Sequence, residues 1–245
     1  MKIIFVRHGD PKRGSFSLTE KGRKEANLLG IFFSGQSIEK IFSAPSVRAK
    51  ETTKFFLETF SKDNPTMQVE FVEWLNEFKH KILLPDGTEQ FAWEMPLDTW
   101  CTTGGMLDFA NCMDNLIYQS GDIKQHAERI WNGFDEFLIA AGYRRTGSYY
   151  SPISEGNKLT FLFVSHFATI SVLLAHLLNI PPAVMLHYFW QAPSAFTTLR
   201  SEEMERGKVL FRCVGYGETR HLEGHDELKS FYGLKPEVFE HLTED

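Results

Sequence analysis

The chain opens with a short strand that ends in an arginine, a histidine and a glycine, and no other stretch restricts its possible folds as much. Ile3, Ile4, Phe5 and Val6 are consecutive β-prone apolar residues with no polar alternation. Such a strand is covered on both faces, which requires a sheet flanked by helices. Arg7 and His8 come next at its carboxyl end, where the ligand crevice of an open α/β sheet lies. Gly9 lets the backbone turn tightly and approach a ligand without a Cβ. Alone, a three-residue match more often marks a surface Arg-His pair after an edge strand; the rest of the chain gives it weight.

The arrangement recurs late in the chain. Residues 159–164 form the most convincing buried strand and run straight into Ser165, His166 and Phe167. Residues 168–179 then have the spacing of a helix stopped by Pro181 and Pro182. After the opening strand, residues 10–15 form a short polar loop. Thr19 is placed to cap a helix that turns Ala26, Leu28, Leu29, Phe32 and Phe33 inward. Lys12 and Arg13 could reach an anionic substrate from this loop, although solvated loop charges are the commoner outcome.

Residues 38–42 read as a second strand. Ser43-Ala44-Pro45-Ser46-Val47-Arg48-Ala49 then opens another helix, with Ser46 as its cap and Phe55, Phe56, Leu57 and Phe60 as its apolar face. Arg48 falls in the first turn, against the helix dipole. Anion binding beside exposed helix N–H groups would account for it; a surface arginine is the plainer alternative.

Residues 69–72 suggest a third strand, and Glu73 and Glu77 would share a face if the next segment were helical. Residues 79–121 lose periodicity and hold Phe91, Trp93, Met95 and Trp100, the pattern of a lid or binding wall, or of a lid packed on its own aromatics. Helical spacing returns over residues 121–141, residues 143–158 read as a polar loop, and residues 196–200 and 208–214 as a hairpin before a final polar helix. The expected architecture is one domain over residues 1–245, a three-layer α/β/α sandwich. Its central sheet is mostly parallel, and an insertion at about 79–158 forms a cap or lid.

With 245 residues and a formal charge of -6, the chain can bury a large core and lacks the basic surface of a nucleic-acid or membrane binder. Cys101, Cys112 and Cys213 are odd in number and scattered, which suggests reduced thiols in a cytoplasmic protein. No leader precedes the first strand and the longest apolar stretch is interrupted by His176, arguing against secretion and membrane spanning.

Five motifs stand in one order: Arg7-His8-Gly9, Leu18-Thr19-Glu20-Lys21-Gly22, the Ser43 to Ala49 turn, Leu75-Asn76-Glu77 and Val164-Ser165-His166. Together they resemble the histidine phosphatase superfamily, in its phosphoglycerate mutase-like branch. The resemblance implies that His8 is a nucleophile that becomes phosphorylated, that Arg7 and Arg48 clamp the phosphate, that His166 is a second phosphate-binding histidine, and that Glu77 is the proton donor. Glu77 suits the family's Leu-x-Glu spacing better than Glu73 does. Guanidinium groups beside an imidazole favour its neutral, nucleophilic form and grip phosphate oxygens bidentately.

The implied activity is metal-independent hydrolysis of a small phosphorylated metabolite, with no cofactor, no metal and no nucleic-acid or membrane partner. A phosphoglycerate-type mutase and a catalytically silent phospho-ligand binder are the alternatives. Two departures matter: Phe167 stands where the family usually has glycine, and the loop after Asp10 is too short for the substrate-contacting segment of the mutases. His221, Glu223 and His225 raise a metal site against a plain tail turn, with His221 structural.

Overall fold

The computed structural model describes residues 1–61, 66–77, 81–153 and 155–235. In chain order the elements are β1 (Lys2–Arg7), α1 (Glu20–Phe33), β2 (Lys40–Ser43), α2 (Val47–Phe60), β3 (Val69–Phe71), β4 (Ile82–Leu83), β5 (Glu89–Gln90), α3 (Leu97–Thr102) and α4 (Leu116–Ser120). They continue with α5 (Ile123–Ala140), β6 (Tyr143–Thr146), β7 (Tyr149–Pro152), β8 (Thr160–Ser165), α6 (Phe167–Leu178), α7 (Pro182–His187), β9 (Phe196–Glu205) and β10 (Lys208–Glu218). Among the described residues an eight-stranded sheet has the order β3-β2-β8-β1-β9-β10-β7-β6. This is the expected α/β fold with helices on both faces. The strands from β3 to β1 are parallel, and β9, β10, β7 and β6 extend them in antiparallel fashion.

The layers arise from side-chain alternation along β1. Phe5 and its partner Phe163 share one face, where they meet Phe134 of α5 with ring centroids 5.7 Å away in both cases. Val6 and its partner Phe196 occupy the other face, where Phe196 meets Phe33 of α1 at 5.1 Å. Paired aromatics of this kind add to the burial of their own area. Trp131 of α5 donates its indole N–H to the Val172 carbonyl of α6 at 3.0 Å, joining the two helices on their side of the sheet.

Thr19 caps α1 by accepting the Gly22 N–H at 3.0 Å, and Ser46 caps α2 through Ala49 N–H at 3.4 Å. Three sequence expectations change. Residues 143–158 are not a plain loop, since β6 and β7 form a hairpin that buries Tyr143 and Tyr150 on the sheet edge. Two aromatics on one face suffice there because β10 supplies the rest of the apolar surface through Phe211. Residues 73–75 form a single 3-10 turn and Asn76 is extended, so Glu73 and Glu77 share no helical face. After Leu222 the chain to residue 235 holds one further 3-10 turn (Asp226–Leu228); the remainder of the expected terminal helix lies outside the described residues, as do His80 and His241.

In the expected insertion, the large side chains pack among themselves and on α7. Phe91 stacks on Trp93 at 4.7 Å, and buried Trp100 stacks on His187 at 4.7 Å. Met95 is buried as well. No helix among the described residues is long and apolar enough to cross a membrane. Cys101, Cys112 and Cys213 are free thiols.

Candidate active site

Strand register brings the two histidines together. Arg7 pairs with Ser165 across the parallel β1–β8 ladder, so His8 and His166 leave adjacent strands side by side. Their rings are 5.1 Å apart at 66°. Ser43 of β2 pairs with Val164, which places the Ser46 cap and Arg48 at the same carboxyl edge.

The backbone of His8 is held on both sides: its N–H donates to Ser165 O at 2.9 Å and its carbonyl accepts from Ser194 N–H at 3.0 Å. On the ring, Nδ1 lies 2.8 Å from the Gly9 carbonyl. A carbonyl only accepts, so Nδ1 carries the hydrogen and Nε2 keeps its lone pair. Burial, then His166, Arg7 and Arg48, hold the imidazole well below its usual pKa, and it is neutral at pH 7.

His166 is equally buried. Its Nε2 lies 2.9 Å from the Ser46 hydroxyl, which already accepts the Ala49 N–H. The hydroxyl, with a second lone pair and its own hydrogen, can either accept from or donate to Nε2 according to the ring tautomer. The ring's Nδ1 is buried with no partner among the described residues, as is Nε of Arg7. Burial, together with the charges of Arg48 and Arg7, lowers the His166 pKa to about 3.

Arg7 donates one hydrogen bond to the Gln191 carbonyl and its guanidinium lies over the rings of Phe167 at 5.5 Å and Tyr232 at 5.9 Å. Burial brings its pKa down to about 10, still charged at pH 7. Arg48 is half-buried, and its charge bears on His8, His166 and Arg7. Neither arginine belongs to an ion pair among the described residues. Two cations, with the unpartnered Nε–H of Arg7 and the unpartnered Nδ1 of His166, around a neutral imidazole can accept a tetrahedral oxyanion.

Glu77 lies at the start of α6, the helix that His166 precedes. Its carboxylate accepts Ala168 N–H at 3.3 Å and both Thr169 N–H and the Thr169 hydroxyl, at 3.1 and 3.2 Å. Its negative charge is the one that most offsets the effect of burial on Arg7. Glu73 is exposed and accepts from the Asn76 amide at 2.9 Å. Lys12 and Arg13 are exposed in the turn closed by the Pro11–Leu18 bridge, and neither is among the charges that bear on Arg7, His8 or His166. The structure therefore gathers Arg7, His8, Arg48, Glu77 and His166 and leaves those two outside.

Three supporting residues gave no signal in the sequence. Gln191 offers its carbonyl to Arg7; Ser194, in the left-handed region at φ 59°, seats the His8 carbonyl; and Glu25 is fully buried beneath the turn. His221 is buried against Ser194, its Nε2 2.9 Å from the hydroxyl, while exposed His225 lies near Glu227 at 3.6 Å. Among the described residues no group of three or more His, Cys, Asp and Glu side chains is arranged to hold a metal ion. An open concavity lined by Glu39, Lys40, Gln68, Ile139 and Phe161 shares no residue with this site.

The turn after His8 depends on two glycines in backbone contact. A Cβ on Gly22 would stand 2.4 Å from Asp10 O and 2.6 Å from Asp10 N, and backbone cannot move aside cheaply. Gly22→Ala is expected to lose about 2–4 kcal/mol in urea melts, with turnover falling alongside. An unchanged melting midpoint would contradict this packing.

The fold is an α/β sheet whose parallel edge carries two buried imidazoles beside guanidinium groups. Residues 3–89 match the family model of the histidine phosphatase superfamily (branch 1). A Salmonella typhi adenosylcobalamin/alpha-ribazole phosphatase is 25% identical over 205 residues, covering 77% of this chain and 85% of that protein. Among solved structures, Bacillus stearothermophilus YhfR superposes with a TM-score of 0.59 at 18% identity, covering 90% of this chain and 98% of that one. Entamoeba histolytica phosphoserine phosphatase in complex with 3-phosphoglyceric acid gives 0.55 at 19% identity, with 90% and 98% coverage. Over residues 3–89 the chain is similar to the histidine phosphatase superfamily, and phosphatases are among the proteins it resembles.

Proposed function

We propose that this protein is a phosphomonoesterase that moves the phosphoryl group of a small phosphorylated metabolite onto Nε2 of His8 and then onto water, without a metal ion. The observation that carries the reading is the state of His8: a neutral ring whose Nδ1 is committed to Gly9 O, leaving the Nε2 lone pair among Arg7, Arg48 and His166. Nε2 attacks phosphorus, the ester P–O bond breaks, and the leaving alkoxide takes a proton from Glu77. Water then attacks the phosphohistidine, Glu77 accepts its proton, and His8 leaves with its lone pair restored. Splitting the displacement lowers each barrier, and fixed cations stabilise the charge spread over the transferring group.

Phosphate release is the test, measured in EDTA from a panel of phosphorylated sugars, nucleotides, amino acids and cofactor precursors. The panel includes α-ribazole phosphate, phosphoserine and 3-phosphoglycerate, compounds that the relatives' names suggest. Sustained release from one or more supports the reading. Release that EDTA abolishes and a divalent metal restores would overturn its metal-independent form, and no release from any member would overturn the hydrolase.

A further inference from the structure

One ionisable side chain under the site is used by none of these steps. Glu25 lies on the buried face of α1, where a helix of this kind carries apolar residues, and its relative exposure is 0%. One oxygen, Oε2, accepts the Asp10 N–H at 2.8 Å, in the turn just after His8 and Gly9. The other, Oε1, is buried with no hydrogen-bond partner among the described residues. Ser194 stands beside the carboxyl, the charges of Asp10 and Lys21 act on it, and its own charge reaches Arg7. Ser194 in turn holds the His8 carbonyl through its N–H and faces Nε2 of His221 through its hydroxyl.

We propose that Glu25 is a positioning residue whose proton decides how firmly the Arg7 side of the pocket holds a tetrahedral oxyanion. This rests on the reading of the site as a phosphoryl pocket. Protonated, the carboxyl is neutral, can donate toward the Ser194 hydroxyl, and leaves the field of Arg7 to the bound anion. Ionised, it can only accept, so the Ser194 hydroxyl turns toward it, and its charge offsets part of that field. Burial, the largest cause, and the Asp10 charge raise the Glu25 pKa to about 7, against the pull of the Asp10 N–H, Lys21 and Ser194. The exchange therefore falls in the neutral pH range.

The probe is tungstate, a phosphate mimic that stays a dianion from pH 6 to 8, with its Kd measured by calorimetry on the full chain. In the wild type, affinity is expected to fall roughly three- to tenfold between pH 6 and pH 8. In Glu25→Gln, which is neutral throughout and nearly isosteric, it stays flat at the pH 6 value. Stability provides a readout independent of ligand. A folded pKa of about 7 above an unfolded value of ~4.3 means the native state binds the proton more tightly. That contribution is present below the unfolded value and is lost as pH rises through 7. The Tm of Glu25→Gln should therefore gain on wild type from pH 5 to pH 8.

Carboxyl 13C NMR on the wild type needs no variant: tungstate should raise the Glu25 titration midpoint by the same factor, because linkage is reciprocal. A pH profile of Glu25→Gln that overlays the wild type, or a midpoint unmoved by tungstate, would overturn the proposal while leaving the pocket intact. If tungstate fails to bind the wild type at any pH, the phosphoryl-pocket reading falls first.

Discussion

Replacing His8 with alanine is expected to lower kcat on p-nitrophenyl phosphate by roughly 10⁴-fold or more, because groups that act as a unit lose nearly everything when the nucleophile goes. The side chain leaves, but the two backbone hydrogen bonds that seat residue 8, to Ser165 and from Ser194, remain. The substitution should therefore spare the fold, and a thermal melt by circular dichroism checks this. Phosphate and tungstate should still bind, since Arg7, Arg48 and His166 keep their places. Activity within tenfold of wild type would mean that His8 is not the acceptor of the phosphoryl group.

The second large effect concerns the proton. Glu77→Gln keeps an oxygen to accept from Thr169 N–H at the start of α6 but has no proton to give. General acid catalysis is worth roughly 10²- to 10⁴-fold when the leaving group is poor, and little when it is good. Hydrolysis of an alkyl phosphate should fall by that range, while nitrophenyl phosphate, with its acidic phenol, changes far less. Equal losses on both substrates would reduce Glu77 to a helix cap, a role its hydrogen bonds to Ala168 and Thr169 already fill. Glu73→Gln, on an exposed and separate turn, should leave both rates close to wild type.

What could be read from the chain and what could not differ in physical origin. A strand without polar alternation that runs into histidine is a local pattern, and it occurs at both His8 and His166. Parallel pairing of those strands in register then makes the rings neighbours. Arg48 was legible because a cation in the first turn of a helix opposes the dipole. Glu25 was not, because a charged residue on a helix reads as solvent-facing, and only the packing of α1 beneath the turn shows that it is buried. Ser194 gave no signal either. Its left-handed backbone is imposed by contacts with His8 and His221, residues more than 25 positions away in each direction along the chain. Tyr143 and Tyr150 were too sparse an apolar pattern to mark a hairpin, and they become one face of it only when Phe211 supplies the partner. Aromatics over residues 91–100, open to reading as a substrate wall, pack instead on one another and on His187.

The most direct test of the account is the chemical form of the trapped intermediate. Rapid mixing with substrate, alkaline quenching and 31P NMR or peptide sequencing by mass spectrometry should find an acid-labile phosphoramidate on His8, attached at Nε2, since Nδ1 is engaged with the Gly9 carbonyl. Phosphate found on Nδ1, on His166, or on no histidine during active turnover would contradict it.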